Sequence, residues 1–153
     1  MKRLFVMVGC PASGKSHKAK TLMSKDVAYV SRDEIRYSMI EDNDEYFRKE
    51  KSVFREFKSQ IQTYLDMGKS VIADATHINK SSRRKLLSNL RLEGVEVIAV
   101  YCDTSFNTCF RRNSQRGWRI RVPDSAMYSM RDRLAPPTRE EGFDLIIKMS
   151  EEE

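Results

Sequence analysis

Eight residues near the amino terminus have the types and the spacing to hold a polyphosphate. Gly9-Cys10-Pro11-Ala12-Ser13-Gly14-Lys15-Ser16 reads G-x-x-x-x-G-K-S, and each fixed position has a chemical reason. The glycines let the backbone curl so that successive N–H groups face phosphate oxygens. A helix opening near Lys15 presents its positive dipole end to the same anion. Lys15 reaches the β- and γ-phosphates, and Ser16 sets its hydroxyl on Mg²⁺. Nucleotide binding is what this stretch supports; the group that receives the phosphate is not written in it.

Two further clusters carry chemistry. Ser31-Arg32-Asp33-Glu34 has the spacing of a capping box, so a helix should begin there. Asp33 and Arg36 then share one helical face. Either Asp33 accepts a proton from an attacking hydroxyl while Arg36 clamps a neighbouring phosphate, or the two form an ordinary ion pair that trims the helix end. Further on, Arg111, Arg112, Arg116, Arg119 and Arg121 surround Gly117 and Trp118, the only tryptophan. Such a segment can fold over a nucleotide and bring a guanidinium to the transferring phosphoryl group, worth on the order of 10³-fold in rate. The plainer reading is a solvated basic helix end. Trp118 either stacks on a base or fills the core beneath the segment.

The elements that must position these groups follow from hydrophobic pattern. Leu4 to Val8 is a continuous β-rich run, as expected of a strand buried on both faces. It breaks at Gly9, ahead of a helix from Lys15 to about Ser24. Ala28-Tyr29-Val30, Val71 to Asp74, Val95 to Tyr101 and Phe143 to Ile147 read as further strands. Between them, Phe47, Phe54, Phe57, Ile61 and Tyr64 recur at helical spacing from Asp44 to Asp66, with Gly68 as the C-terminal cap. A basic helix with Leu86, Leu87 and Leu90 on its inner face follows, then helices over about 106–112 and near Met127 and Met130. The Glu151-Glu152-Glu153 tail is expected to fray. Strands alternating with helices predict an α/β three-layer sandwich around a mostly parallel sheet of about five strands. One domain over residues 1–153 is expected, with an arginine-rich lid at about 112–123.

Bulk properties narrow the class. The chain has 153 residues, 40% of them hydrophobic, enough for one core. Leu4 to Val8 is far too short to cross a bilayer, and its early end at a glycine turn does not read as a secretory signal. A cytoplasmic protein with reduced thiols at Cys10, Cys102 and Cys109 is expected. The formal charge of +6 suits a polyanionic partner.

Taken in order, these stations resemble the 5′-hydroxyl polynucleotide kinase domain of the P-loop kinase superfamily, to which zeta-toxin-like kinases are also related. The resemblance rests on residues 9–16, on Ser-Arg-Asp-Glu-Ile-Arg at 31–36 and on Asp-Ala-Thr-His-Ile-Asn at 74–79. It rests also on Arg-Asn-Ser-Gln-Arg-Gly at 112–117, with Val122-Pro123 just after; this lid stretch and Arg-Asp-x-x-Arg at 32–36 look closer to the phage-type enzyme. It covers nearly the whole chain. The resemblance implies ATP and Mg²⁺ bound by Gly9 to Ser16 and His17, with Ser16 as the metal contact. It implies Asp33 as general base, Arg36 on the acceptor's 3′-phosphate, Arg116 at the γ-phosphate and Arg112 supporting the lid. Asp74 would hold a metal-bound water or only fix loop geometry. The acceptor would be a single-stranded or end-exposed DNA or RNA with a 5′-hydroxyl, as in nucleic acid repair or end healing. The chain ends before the phosphatase or ligase module such enzymes carry, so a separate phosphatase or ligase partner is expected, and no membrane. His77 stands where relatives often have asparagine. The alternatives are a P-loop kinase for a small metabolite, nucleotide sugar or antibiotic, and a nucleotide-gated nucleic-acid-binding module.

Overall fold

The computed structural model describes residues 1–150. Five strands, β1 (Lys2–Val8), β2 (Val27–Ser31), β3 (Ser70–Asp74), β4 (Val95–Cys102) and β5 (Leu145–Met149), form one sheet in the order β2-β3-β1-β4-β5. Every pairing is parallel. The helices are α1 (Lys15–Thr21), α2 (Arg32–Met39), α3 (Glu50–Asp66), α4 (Lys80–Ser88), α5 (Phe106–Ser114) and α6 (Asp124–Arg133), with a 3₁₀ turn at Arg139–Glu141. This is the expected α/β sandwich. Among the described residues no helix is long and apolar enough to cross a membrane.

Strand β1 shows why the layers form. Its residues alternate between two cores, as a pleated strand requires. Leu4, Val6 and Val8 pack with Val53, Phe57, Ile61 and Leu65 of α3 and Leu86 of α4. Phe5 and Met7 pack on the opposite face with Ala19 of α1 and Ile98 and Val100 of β4. A third cluster, Cys10, Ile78, Cys109, Val122 and Met127, lies under the loops that follow the strands. Strand β1 pairs with β3 on one side and β4 on the other. The chain therefore changes direction across the sheet beside β1, where such sheets bind ligands beyond the strands' carboxyl ends.

Some boundaries differ from the sequence pattern. Helix α3 starts at Glu50, not near Asp44. Tyr46 and Phe47 leave the helix because their rings meet edge to face, with centroids 4.7 Å apart, and the Arg36 guanidinium lies 4.8 and 5.3 Å from the two rings. Helix α4 stops at Ser88, so Leu90 packs from beyond it, and the α4 inner face also carries Arg83. Phe143 is buried just ahead of β5 rather than within it. The Ser31 hydroxyl caps α2 by accepting from the Glu34 N–H at 3.2 Å. Gly68 follows α3 at φ +85°, the left-handed cap conformation. The fraying expected of Glu151 to Glu153 falls outside the described residues.

Candidate active site

The phosphate loop leaves β1 at Gly9, whose N–H donates to the Thr76 carbonyl at 3.0 Å. A Cβ on Gly9 would stand 2.6 Å from Ser13 Oγ and 3.1 Å from the Cys102 carbonyl oxygen. Only glycine lets the loop pass that close. The Ser13 N–H closes a turn onto the Cys10 carbonyl at 3.1 Å, and Ala12 and Gly14 take φ of 64° and 90°. The first helical bond of α1 runs from Lys18 N–H to the Gly14 carbonyl at 2.9 Å. The N–H groups of the opening turn, Lys15, Ser16 and His17, are thus left for an anion. Lys15 is only 5% exposed, and among the described residues it pairs with no carboxylate. Ser13 Oγ is buried without a hydrogen-bond partner. A buried ammonium, unused N–H groups and an orphaned hydroxyl fit a polyphosphate. Burial pushes the Cys10 thiol up against the pull of Lys15. The His17 side chain is exposed on the first turn of α1.

Ser16 Oγ donates to Asp74 Oδ2 at 2.7 Å, and the Tyr29 hydroxyl donates to the same oxygen. Burial first, and then Asp74 itself, push the Tyr29 hydroxyl well above its ordinary range, so it remains a donor. Asp74 is buried at the end of β3 in register with Ser31. Its carboxylate and the Ser16 hydroxyl are hard oxygen donors of the kind that hold Mg²⁺ directly or through water.

A cleft of about 210 Å³ joins the phosphate loop to α2 and α3, lined among others by Pro11, Asp33, Arg36, Tyr46, Glu50 and His77. Arg36 is buried and donates from Nη1 to Asp33 Oδ1 at 2.5 Å and from Nε to Glu50 Oε1. Glu50 also accepts from Arg32 at 2.9 Å. Burial works against the Arg36 charge, but the Glu50 hydrogen bond and the neighbouring anions more than restore it. The Asp33 side chain is 43% exposed, so its second oxygen is open to the cleft. The ion pair expected of the sequence is present, and it lines a cleft beside the phosphate loop.

The arginine-rich segment contacts both the phosphate loop and α2. Arg112, in the last turn of α5, donates to the Ala12 carbonyl at 3.3 Å. Asn113, fully buried, brackets Val122 through its carbonyl at 2.8 Å and its N–H at 3.0 Å. Arg119 donates to the Tyr37 and Ile40 carbonyls at 2.8 and 2.9 Å and pairs with Asp42. It thus caps the C-terminal end of α2, the helix that carries Asp33. The Arg116 side chain is half-buried and forms no ion pair among the described residues. Trp118 is 69% exposed and fills no core.

The 75–79 loop is fixed by groups the sequence did not single out. Arg83 is 0% exposed and holds Glu141 through two nitrogens, at 2.7 and 3.1 Å, while a third donates to the His77 carbonyl at 2.8 Å. Burial alone would raise the Glu141 carboxyl, but Arg83 and Thr138 hold it below its ordinary value. His77 is buried, its Nδ1–H donating to the Met7 carbonyl at 2.6 Å. Burial pushes its pKa down to about 3, so the ring is neutral. Its φ of 44° is one that asparagine adopts readily. The roles of Tyr29 and Glu50, and the contacts of Arg119 with α2 and Asp42, were also missed. Their partners lie 45, 14 and 77 residues away in sequence, and no local pattern marks them.

The fold is shared with a chain of the Pnkp1/Rnl/Hen1 RNA repair complex, at 23% identity and a TM-score of 0.71, over 87% of this chain and 44% of that one. It is shared with Kti12 of Chaetomium thermophilum, solved with ADP-AlF3, at 15% identity and a TM-score of 0.73, over 96% and 88% of the two chains. A gluconokinase of Sinorhizobium meliloti 1021 is similar at 17% identity and a TM-score of 0.60, over 95% and 81%. The chain thus spans less than half the length of its RNA repair counterpart. Residues 4–137 match the family model described as AAA domain, AAA_33. That match runs from the first core residue of β1 to the proline pair ahead of the last strand, and the chain belongs to this family of P-loop AAA domains.

Proposed function

We propose that the protein transfers the γ-phosphate of ATP to the 5′-hydroxyl of a DNA or RNA strand. One observation carries the reading: the cleft places an open Asp33 carboxylate and a buried Arg36 beside the phosphate loop. Lys15 and the N–H groups of the loop hold the β- and γ-phosphates. Asp33 Oδ1 is committed to Arg36, so its other oxygen takes the proton of the incoming hydroxyl. The new O–P bond forms as the bond to the β-phosphate oxygen breaks, and ADP leaves with that electron pair. Arg36 Nη2, which has no partner among the described residues, answers the acceptor's 3′-phosphate. Arg116 brings positive charge from the lid, which Arg112 ties to the Ala12 carbonyl. Ser16 and Asp74 are the residues that would hold Mg²⁺, which supplies charge neutralisation at the phosphates when bound.

The shared fold with an RNA repair chain supports a nucleic acid acceptor, and the net charge of +6 agrees with it. The likeness to a gluconokinase favours the second reading, a small polyhydroxy acceptor in the same cleft. Incubation with γ-labelled ATP and either a 5′-hydroxyl oligonucleotide or gluconate separates them. Label on the oligonucleotide is the expected result; label on gluconate alone transfers the mechanism to the small acceptor.

A further inference from the structure

The far end of the cleft carries charge that catalysis at Asp33 does not use. Phe54 of α3 lines the cleft together with Ser82 and Leu86 of α4. Three cations converge on its ring: Lys85 Nζ at 4.5 Å, Arg32 at 5.4 Å and Lys58 Nζ at 5.7 Å from the centroid. Arg32 is answered by Glu50 at 2.9 Å. The lysines are not. Lys58 donates to Asn89 Oδ1 at 3.1 Å, and neither lysine meets a carboxylate among the described residues. A ring quadrupole attracts ammonium groups without neutralising them. Two uncompensated charges held about one apolar ring, which lines the same cleft as the proposed proton acceptor, suit a chain of anions leaving that cleft.

We propose that α3 and α4 form a track for the acceptor strand beyond its 5′-terminal nucleotide, with Lys58 and Lys85 countering successive phosphodiesters. This rests on the polynucleotide reading of the cleft. The ligand is the backbone of a single-stranded polynucleotide. Contacts of this kind read no sequence, so the track serves any strand long enough to reach it.

The test compares the full-length wild-type chain with Lys58→Ala/Lys85→Ala and with Lys25→Ala/Lys69→Ala. The control pair removes the same charge next to the amino ends of β2 and β3, opposite the cleft. Binding of a fluorescent single-stranded RNA of roughly ten nucleotides is followed by anisotropy across salt concentrations. A DNA of the same sequence is run beside it. Phosphorylation of the RNA and of a nucleoside 3′-monophosphate is measured in parallel. The track variant should bind the RNA roughly three- to tenfold more weakly near 0.1 M salt. Its log–log salt slope should be shallower by about 1.4, at about 0.7 per lost phosphate contact. KM should rise for the RNA and not for the mononucleotide. An equal loss in the control pair, an equal rise in KM for both acceptors, or no change in slope would overturn the track. Lysine-dependent binding by a wild-type enzyme that phosphorylates neither acceptor would keep the track and refute the kinase reading. Melting temperatures within a few degrees exclude misfolding, since both lysines lie on helix surfaces.

Discussion

Gly9 acts through the side chain it lacks. Ser13 Oγ can rotate away from an added methyl, but the Cys102 carbonyl belongs to β4 and cannot. Gly9→Ala should therefore lower the melting temperature by several degrees, as overpacking of about 1–3 kcal/mol does. It should also weaken ATP at least about tenfold, because the loop's N–H groups lose their aim. Thermal melts with calorimetric ATP titration check both, and an unaltered affinity would mean the loop relaxes without cost. At this scale the sequence was most informative where one residue's role is local. Gly9, Lys15 and Ser16 are legible because strand, loop and helix follow one another directly. Glu50 was not, since only the folding of α3 against α2 brings it to Arg36.

Elements matter here chiefly by holding loops still. The loop from β3 to α4 is clamped by Arg83, a charged residue with no exposed surface. Arg83→Met roughly keeps the volume but takes the ion-pair partner from the partly buried Glu141 carboxylate. Unfolding in urea should show a loss of about 3–5 kcal/mol; a loss under about 1 kcal/mol would mean that water and the existing Thr138 hydrogen bonds satisfy Glu141 without Arg83. The repeating strand and helix pattern was legible because buried strands read as unbroken apolar runs, Leu4 to Val8 above all. Less so were the points where tertiary contacts override periodicity. Phe47 continues the helical spacing of α3, yet its ring leaves the helix to join Tyr46 and Arg36. Arg83 sits among leucines on the inner face of α4, and its partner lies 58 residues away.

For the molecule as a whole, His77 couples stability to pH. The unfolded chain binds a proton near pH 6.5 that the folded chain refuses until about pH 3, because burial penalises the charged ring. Stability is therefore complete above pH 6.5 and falls as pH drops across that window, by up to about 1.4 kcal/mol per pH unit. His77→Asn suits the left-handed backbone and removes this proton. Its urea-derived stability should be flatter than wild type between about pH 6.5 and pH 5. Parallel curves would mean the ring is protonated in the fold. The sheet order around β1, which brings the Gly9 loop, Asp33 and Asp74 to one edge, was only partly legible: alternating elements imply a parallel sheet, but strand order is set by packing on both faces.

The most direct test of Asp33 as the proton acceptor is label transfer from γ-labelled ATP to a 5′-hydroxyl oligonucleotide by Asp33→Asn, with ATP affinity measured on the same protein. Transfer should fall by about 10²–10⁴-fold while ATP still binds. Undiminished product from an Asp33→Asn enzyme that binds ATP would contradict the account.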